Sequence, residues 1–121
     1  MQMILSTTRR KRVKVTYSTG KMSVELEGET QRDLFGQLSA FQEVFDETTC
    51  GKCGSTNVKF VVRQVEDNQY YEIRCLDCGA KLAFGCHKKG GGLFPKRKDA
   101  DGDWLPDRGW VKWNSETKKE E

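Results

Sequence analysis

Four cysteines stand in two pairs of the same form, Cys50-Gly51-Lys52-Cys53-Gly54 and Cys75-Leu76-Asp77-Cys78-Gly79. Two cysteines separated by two residues put both sulfurs on one side of a tight turn. A Gly after the second Cys can take positive φ, which aims backbone N–H groups at the sulfurs. Two such knuckles offer four thiolates to one tetrahedral ion, and four protein ligands leave no open position for a substrate. The spacing therefore predicts one structural Zn2+ on Cys50, Cys53, Cys75 and Cys78. The competitors are a redox dithiol, which leaves the second pair unexplained, and iron in the same four-sulfur geometry. The fifth cysteine, Cys86, adjoins His87. Neighbours on a strand point to opposite faces, so the two cannot easily share a site. Cys86 reads as a small buried apolar group. His87 reads as an alternative fourth ligand or a phosphate or base contact.

The elements between the knuckles explain their spacing. The 21 intervening residues hold a β-branched, apolar run at Val58–Val65, a polar turn at residues 66–69 and a return strand at residues 70–75. A hairpin of that length leaves the first knuckle and returns to the second, close to a metal spacing of roughly 15–20 residues. Residues 80–87 form a third strand. Upstream, Val13, Val15 and Tyr17, then Met22, Val24 and Leu26, alternate with polar residues about a Ser18-Thr19-Gly20-Lys21 turn, which predicts a hairpin over residues 12–27. Residues 31–46 predict a helix capped by Thr30, with Asp33 three residues on. Leu34, Leu38, Phe41 and Phe45 share one face, widened by Phe35 and Val44. This stripe packs on the hairpin, and its surplus over a two-stranded sheet makes a homodimer through helix 31–46 the second expectation.

The fold class expected is α+β: an N-terminal β-hairpin and helix joined to a three-stranded antiparallel zinc ribbon. Residues 1–48 form the basic arm, hairpin and helix. Residues 49–114 form the ribbon with a basic Gly-rich loop and an irregular, Trp-containing extension. Residues 115–121 form a charged, frayed tail.

Residues 50–87 resemble the zinc ribbons of topoisomerase tails, transcription elongation factors, primases and some ribosomal proteins. The order of hairpin, helix, ribbon, basic stretch from Lys88-Lys89-Gly90-Gly91-Gly92 to Lys96-Arg97-Lys98, and Trp-containing end is also similar to small phage-encoded zinc-ribbon proteins. That resemblance implies single-stranded DNA binding in phage or bacterial replication and recombination, in a bacterial or phage-infected host cytosol. It brings no catalytic motif.

The residues point the same way independently. The net charge of +3 is mild, but its distribution is uneven. Basic charge gathers on an N-terminal arm, Arg9, Arg10, Lys11 and Arg12, and on the cysteine region, whereas residues 15–49 are acidic. Lys88, Lys89, Lys96, Arg97 and Lys98 bracket the Gly-rich loop and would neutralise phosphates. Phe94 with Tyr70 would stack on bases, and Phe84, Trp104 and Trp110 are further candidate rings. Against this, lysine-rich loops are commonly solvated faces, and the tryptophans could fold back to cap the ribbon sheet. Asp99-Ala100-Asp101-Gly102-Asp103 echoes the start of a calcium loop, but Trp104 and Trp110 stand where that loop needs Gly and Glu, so the segment reads as a turn.

A chain of 121 residues is one small domain or two subdomains. No apolar run approaches the roughly 20 residues of a membrane helix, and residues 1–12 do not read as a secretory signal. Paired cysteines at metal spacing suit a reducing compartment. No paired carboxylates, open metal site or nucleophile–base pair is present, so no enzymatic activity is expected. The alternative function is a protein-interaction module whose acidic stretch, residues 25–47, and helix stripe grip a polymerase, recombinase or host factor.

Overall fold

The computed structural model describes residues 12–121; Arg9, Arg10 and Lys11 of the expected basic arm lie outside them. Alternation of apolar and polar residues produces two strands, β1 (Val13–Thr19) and β2 (Met22–Gly28), paired antiparallel so that Val15 faces Leu26 and Tyr17 faces Val24. The helix α1 (Gln31–Phe45) follows. Its Thr30 hydroxyl accepts from the Asp33 N–H at 3.1 Å, and the Asp33 carboxylate accepts from the Glu29 N–H at 3.0 Å, which satisfies two donors at the helix start. Leu34 and Val44 bury against the hairpin with Val13. Tyr17 meets the Phe41 ring edge-on at 5.9 Å, and its hydroxyl accepts from Gln42 Nε2 at 3.1 Å. Phe35 departs from the expected stripe and is 77 % exposed. It lies about 100° around the helix from Leu34, beyond the width that two strands cover.

A second compact unit begins at Glu47. Its sheet contains β3 (Val58–Val65), β4 (Asn68–Cys75), β5 (Lys81–Cys86) and β6 (Leu93–Pro95), antiparallel and adjacent in chain order. The fold is thus α+β as expected, but the sheet by the knuckles has four strands rather than three. Leu93–Pro95, expected to be irregular, pairs with residues 84–86 of β5. Further along, Val111 exchanges both backbone hydrogen bonds with Lys81. The end of the chain is also ordered. β7 (Trp113–Asn114) pairs with β8 (Lys119–Glu120), and Lys112 and Glu121 exchange backbone bonds at 2.8 and 2.9 Å.

Alternation gives the four-stranded sheet two different faces. One carries Ile73, Cys75, Leu82 and Phe84, and these are buried with Trp110 and Cys50. The other carries Lys59, Arg63, Tyr70, Glu72, Arg74, Lys81, Ala83, Gly85 and Phe94, as the register requires. Cys86, expected to be buried, is exposed. It sits at the end of β5, past the part of the core face that Leu82 and Phe84 fill.

Candidate metal centre

The two knuckles are built by the same backbone device. In the first, Gly54 N–H donates to the Cys50 carbonyl at 2.9 Å, and Cys50 N–H donates to the Ser55 carbonyl at 2.8 Å. In the second, Gly79 N–H donates to the Cys75 carbonyl at 3.0 Å, and Cys75 N–H to the Ala80 carbonyl at 2.8 Å. Both turns close through a Gly with positive φ, 75° at Gly54 and 81° at Gly79, which an L side chain resists. Backbone donors then point at sulfur: Lys52 N–H reaches Cys50 Sγ at 3.3 Å, and Cys78 N–H reaches Cys75 Sγ at 3.5 Å. The knuckles are tied to each other. Asp77 accepts from the Ser55 hydroxyl and, at 3.2 Å, from Asn57 Nδ2, while Leu76 N–H donates to the Asn57 carbonyl at 2.9 Å. These bonds hold the Asp77 carboxyl below its usual range.

The four sulfurs converge. Cys50 and Cys78 stand 3.6 Å apart, Cys53 and Cys75 3.5 Å, and all four ligand atoms lie within 4.8 Å of one another. A zinc tetrathiolate with Zn–S near 2.3 Å requires S···S edges of about 3.8 Å. A disulfide would need about 2.05 Å. The donor set and its spacing therefore fit a tetrahedral metal ion. Burial pushes the Cys50 thiol up. Burial opposes ionisation of Cys75 too, but N–H groups of Cys78 and Asp77 and the neighbouring thiols outweigh it and bring Cys75 to about 7. Cys53 receives help from the Ser55 backbone, yet beside Cys75 it keeps its proton and rises to about 12. Four thiols this close cannot all ionise without a cation among them, and a divalent ion supplies that charge. His87 is not among the clustered ligands; its ring lies 4.9 Å from that of Phe94.

The C-terminal segment covers the first knuckle. A Cβ on Gly51 would fall 2.4 Å from the Asp107 carbonyl oxygen and 2.6 Å from Trp110 Cδ1, so only Gly admits this approach. At the matching place in the second knuckle stands Leu76, which is exposed. The covering turn, Pro106–Gly109, holds Asp107 and Arg108 in the left-handed region, at φ 54° and 58°. That conformation is disfavoured for non-Gly residues and needs fixing by its surroundings. Lys52 Nζ binds Asp107 at 2.7 Å. Arg108 reaches Glu47 at 2.8 Å and the Thr49 carbonyl at 3.1 Å. Arg97 also binds Glu47, at 2.7 Å, and donates to the Arg108 carbonyl at 2.6 Å. Burial disfavours the Glu47 charge, but the two guanidiniums prevail and lower its pKa.

Compared with protein-family models, with curated proteins and with solved structures, the chain matches none of them. The case for what the site does therefore rests on its geometry.

The bases singled out in the sequence are dispersed. Lys88 and Lys89 are exposed on the turn between β5 and β6, and Lys96 is exposed just after β6. Lys98 stands 4.5 Å over the ring of Trp104 on a short bridge closed by the Asp99 turn, whose carboxylate accepts from the N–H groups of Asp101 and Asp103. Arg97 is engaged by Glu47. Arg12 pairs with Glu27 at 3.3 Å. Of the rings, Phe84 and Trp110 are buried and cannot receive a base, whereas Tyr70, Phe94 and Trp104 are exposed.

Sequence reasoning missed the cations of the strands. Lys59, Arg63, Arg74 and Lys81 lie on the same sheet face as Tyr70 and Phe94. At their centre Glu72, 3 % exposed, binds Arg74 at 2.8 Å, Arg63 at 3.5 Å and Lys81 at 3.7 Å. Lys81 is further paired with Glu120 at 2.9 Å. The turn between β3 and β4 is residues 66–67 rather than the expected 66–69, because Asn68 and Gln69 pair with Val65 and Gln64, and this register puts Arg63 beside Tyr70.

Proposed function

We propose that the chain is a non-catalytic zinc-ribbon protein that binds nucleic acid, single-stranded DNA in particular, with one structural Zn2+ on Cys50, Cys53, Cys75 and Cys78. The observation that supports the DNA reading is the sheet face opposite the core. Five cations, Lys59, Arg63, Arg74, Lys81 and, just past β6, Lys96, lie on it against two carboxylates, Glu72 and the Glu120 that pairs with Lys81, and the exposed rings of Tyr70 and Phe94 share the surface. A rigid cationic surface with aromatic rings is what sequence-tolerant single-strand binding uses. The Zn2+ would hold the knuckles at one end of the hairpin, and so fix the strands that carry these groups. Lys88 and Lys89 extend the positive field along the β5–β6 turn.

Binding of labelled oligothymidine, followed by fluorescence anisotropy at several salt concentrations, tests the reading. Each single-strand phosphate contacted adds about −0.7 to the slope of log K against log salt. Three or four contacts on this face give a slope of about −2 to −3. A flat salt response, or displacement by duplex as readily as by single strand, refutes it. The alternative, a protein-interaction module, is favoured by the exposure of Phe35 on α1; a stable complex with a replication protein in the absence of nucleic acid would support that reading.

A further inference from the structure

We propose that Tyr70 and Phe94 form a two-base stacking platform on the sheet, and that Gly85 is the residue that positions Phe94 for it. The inference rests on the nucleic-acid reading above and names where the bases go.

Strand register places the groups in one row. Arg63 faces Tyr70 across β3 and β4, the pairing of Tyr71 with Phe84 sets Tyr70 beside Gly85, and Gly85 faces Phe94 across β5 and β6. The row therefore reads cation, ring, glycine, ring. Tyr70 and Phe94 stand two strand spacings apart, about 10 Å between backbones, with no side chain between them. Phe94 leans into that gap. A Cβ on Gly85 would fall 2.5 Å from Phe94 Cζ and 2.9 Å from Cε2. The ring thus lies where the side chain of residue 85 would stand, and still keeps 36 % of its surface open. Behind it the His87 ring packs at 4.9 Å. On the other side the Arg63 guanidinium lies 4.9 Å from the Tyr70 ring centroid. Each ring thus has a protein neighbour, Arg63 at Tyr70 and Gly85 with His87 at Phe94, and each keeps more than a third of its surface exposed.

This arrangement suits bases splayed apart and presented singly. An unpaired strand offers bases in that form and a closed duplex does not. Arg63 beside Tyr70, and Lys96 two residues beyond Phe94 on the same face, are placed for the phosphates on either side. Gly85 does not have positive φ, so its backbone suits any residue. What a side chain at residue 85 would meet is the Phe94 ring.

The test is a cycle of variants of the full zinc-loaded chain, read by anisotropy of labelled oligothymidine, with zinc content and thermal midpoint measured in parallel. Phe94→Ala, Phe94→Leu and Tyr70→Ala are each expected to weaken binding by roughly 5- to 150-fold, the range for losing one stacked base. Phe94→Leu keeps the apolar bulk, so its loss reports the ring itself. Gly85→Ala is expected to weaken binding in the wild-type background and to add nothing in the Phe94→Ala background. No binding by the wild-type chain at low salt overturns the nucleic-acid reading. Tight wild-type binding with Tyr70→Ala and both Phe94 variants unaffected overturns the platform alone. An equal effect of Gly85→Ala in both backgrounds overturns the positioning role.

Discussion

Replacing Trp110 by Ala should remove the plug that seats the C-terminal segment on the first knuckle. The indole is fully buried and lies against Gly51 so closely that no side chain would fit there. Trp→Ala at such a site costs about 3–5 kcal/mol, from lost transfer energy and the cavity left behind. In a domain of this size each kcal/mol moves the thermal midpoint by roughly 4–8 °C, so the expected fall is on the order of 10–40 °C. Trp110→Phe should be far milder. Among the described residues the indole Nε1 is buried without a hydrogen-bond partner, and an unsatisfied buried donor itself costs about 1–3 kcal/mol. Phe removes that donor while retaining most of the ring, so its net cost should stay below about 1.5 kcal/mol. The assay is urea unfolding followed by far-UV circular dichroism at fixed free zinc, with zinc release timed against a chromogenic chelator. Trp110→Ala should release zinc faster, because the first knuckle loses its cover. A Trp110→Ala protein within 1 kcal/mol of wild type, with unchanged release, refutes the reasoning. A Phe variant as damaged as the Ala variant would show that the indole N–H has a partner.

Thiol counting separates Cys86 from the cluster: with zinc bound, one thiol per chain should react rapidly with a disulfide reagent, and after chelation under denaturing conditions five should. Five reactive thiols in zinc-treated protein would contradict the metal centre, and none would contradict the exposure of Cys86. Chelation should also unfold the knuckles and their hairpin, since metal-binding energy is folding energy in such sites; unchanged circular dichroism after verified metal loss would refute this. Glu47→Gln should cost about 1–3 kcal/mol at neutral pH by weakening two charge-assisted contacts. The folded pKa of Glu47 is lowered, so its contribution is present above the ordinary value of 4.5 and is lost as pH falls through the folded value. The midpoint difference between wild type and variant should therefore shrink below about pH 4.5, and a difference independent of pH would sink the clamp.

Local order was well marked in the chain. The turn chemistry of two C-x-x-C-G segments specifies the knuckles without help from distant residues, and the alternation at residues 13–26 and the β-branched run, polar turn and return strand over residues 58–75 specify hairpins whose partners are neighbours in sequence. Thr30 and Asp33 mark the helix start. The fourth strand was harder to see. Leu93–Pro95 is too short to show a period, and it becomes a strand because the β5 edge offers it unpaired backbone groups. Residues 115–121 carry mostly charge, but their backbone bonds to Lys112 and Asn114 order them. The exposure of Cys86 depends on where the core ends along β5, which composition does not encode.

What the sequence by itself determined was the cluster of four cysteines that fits a metal ion: residue type and spacing are local, and a tetrahedral ion imposes the same demand in any fold. It also determined which rings and cations were available. Only the tertiary structure decided which of them share a surface. Trp110 and Phe84 went inward and Arg97 to Glu47, while Arg63, Arg74 and Lys59 came to the face that holds Tyr70 and Phe94. The register that makes this face comes from short hairpins, whereas the burial of Trp110 on Gly51 and the pairing of Arg97 with Glu47 join residues more than about 45 positions apart, which no local pattern specifies.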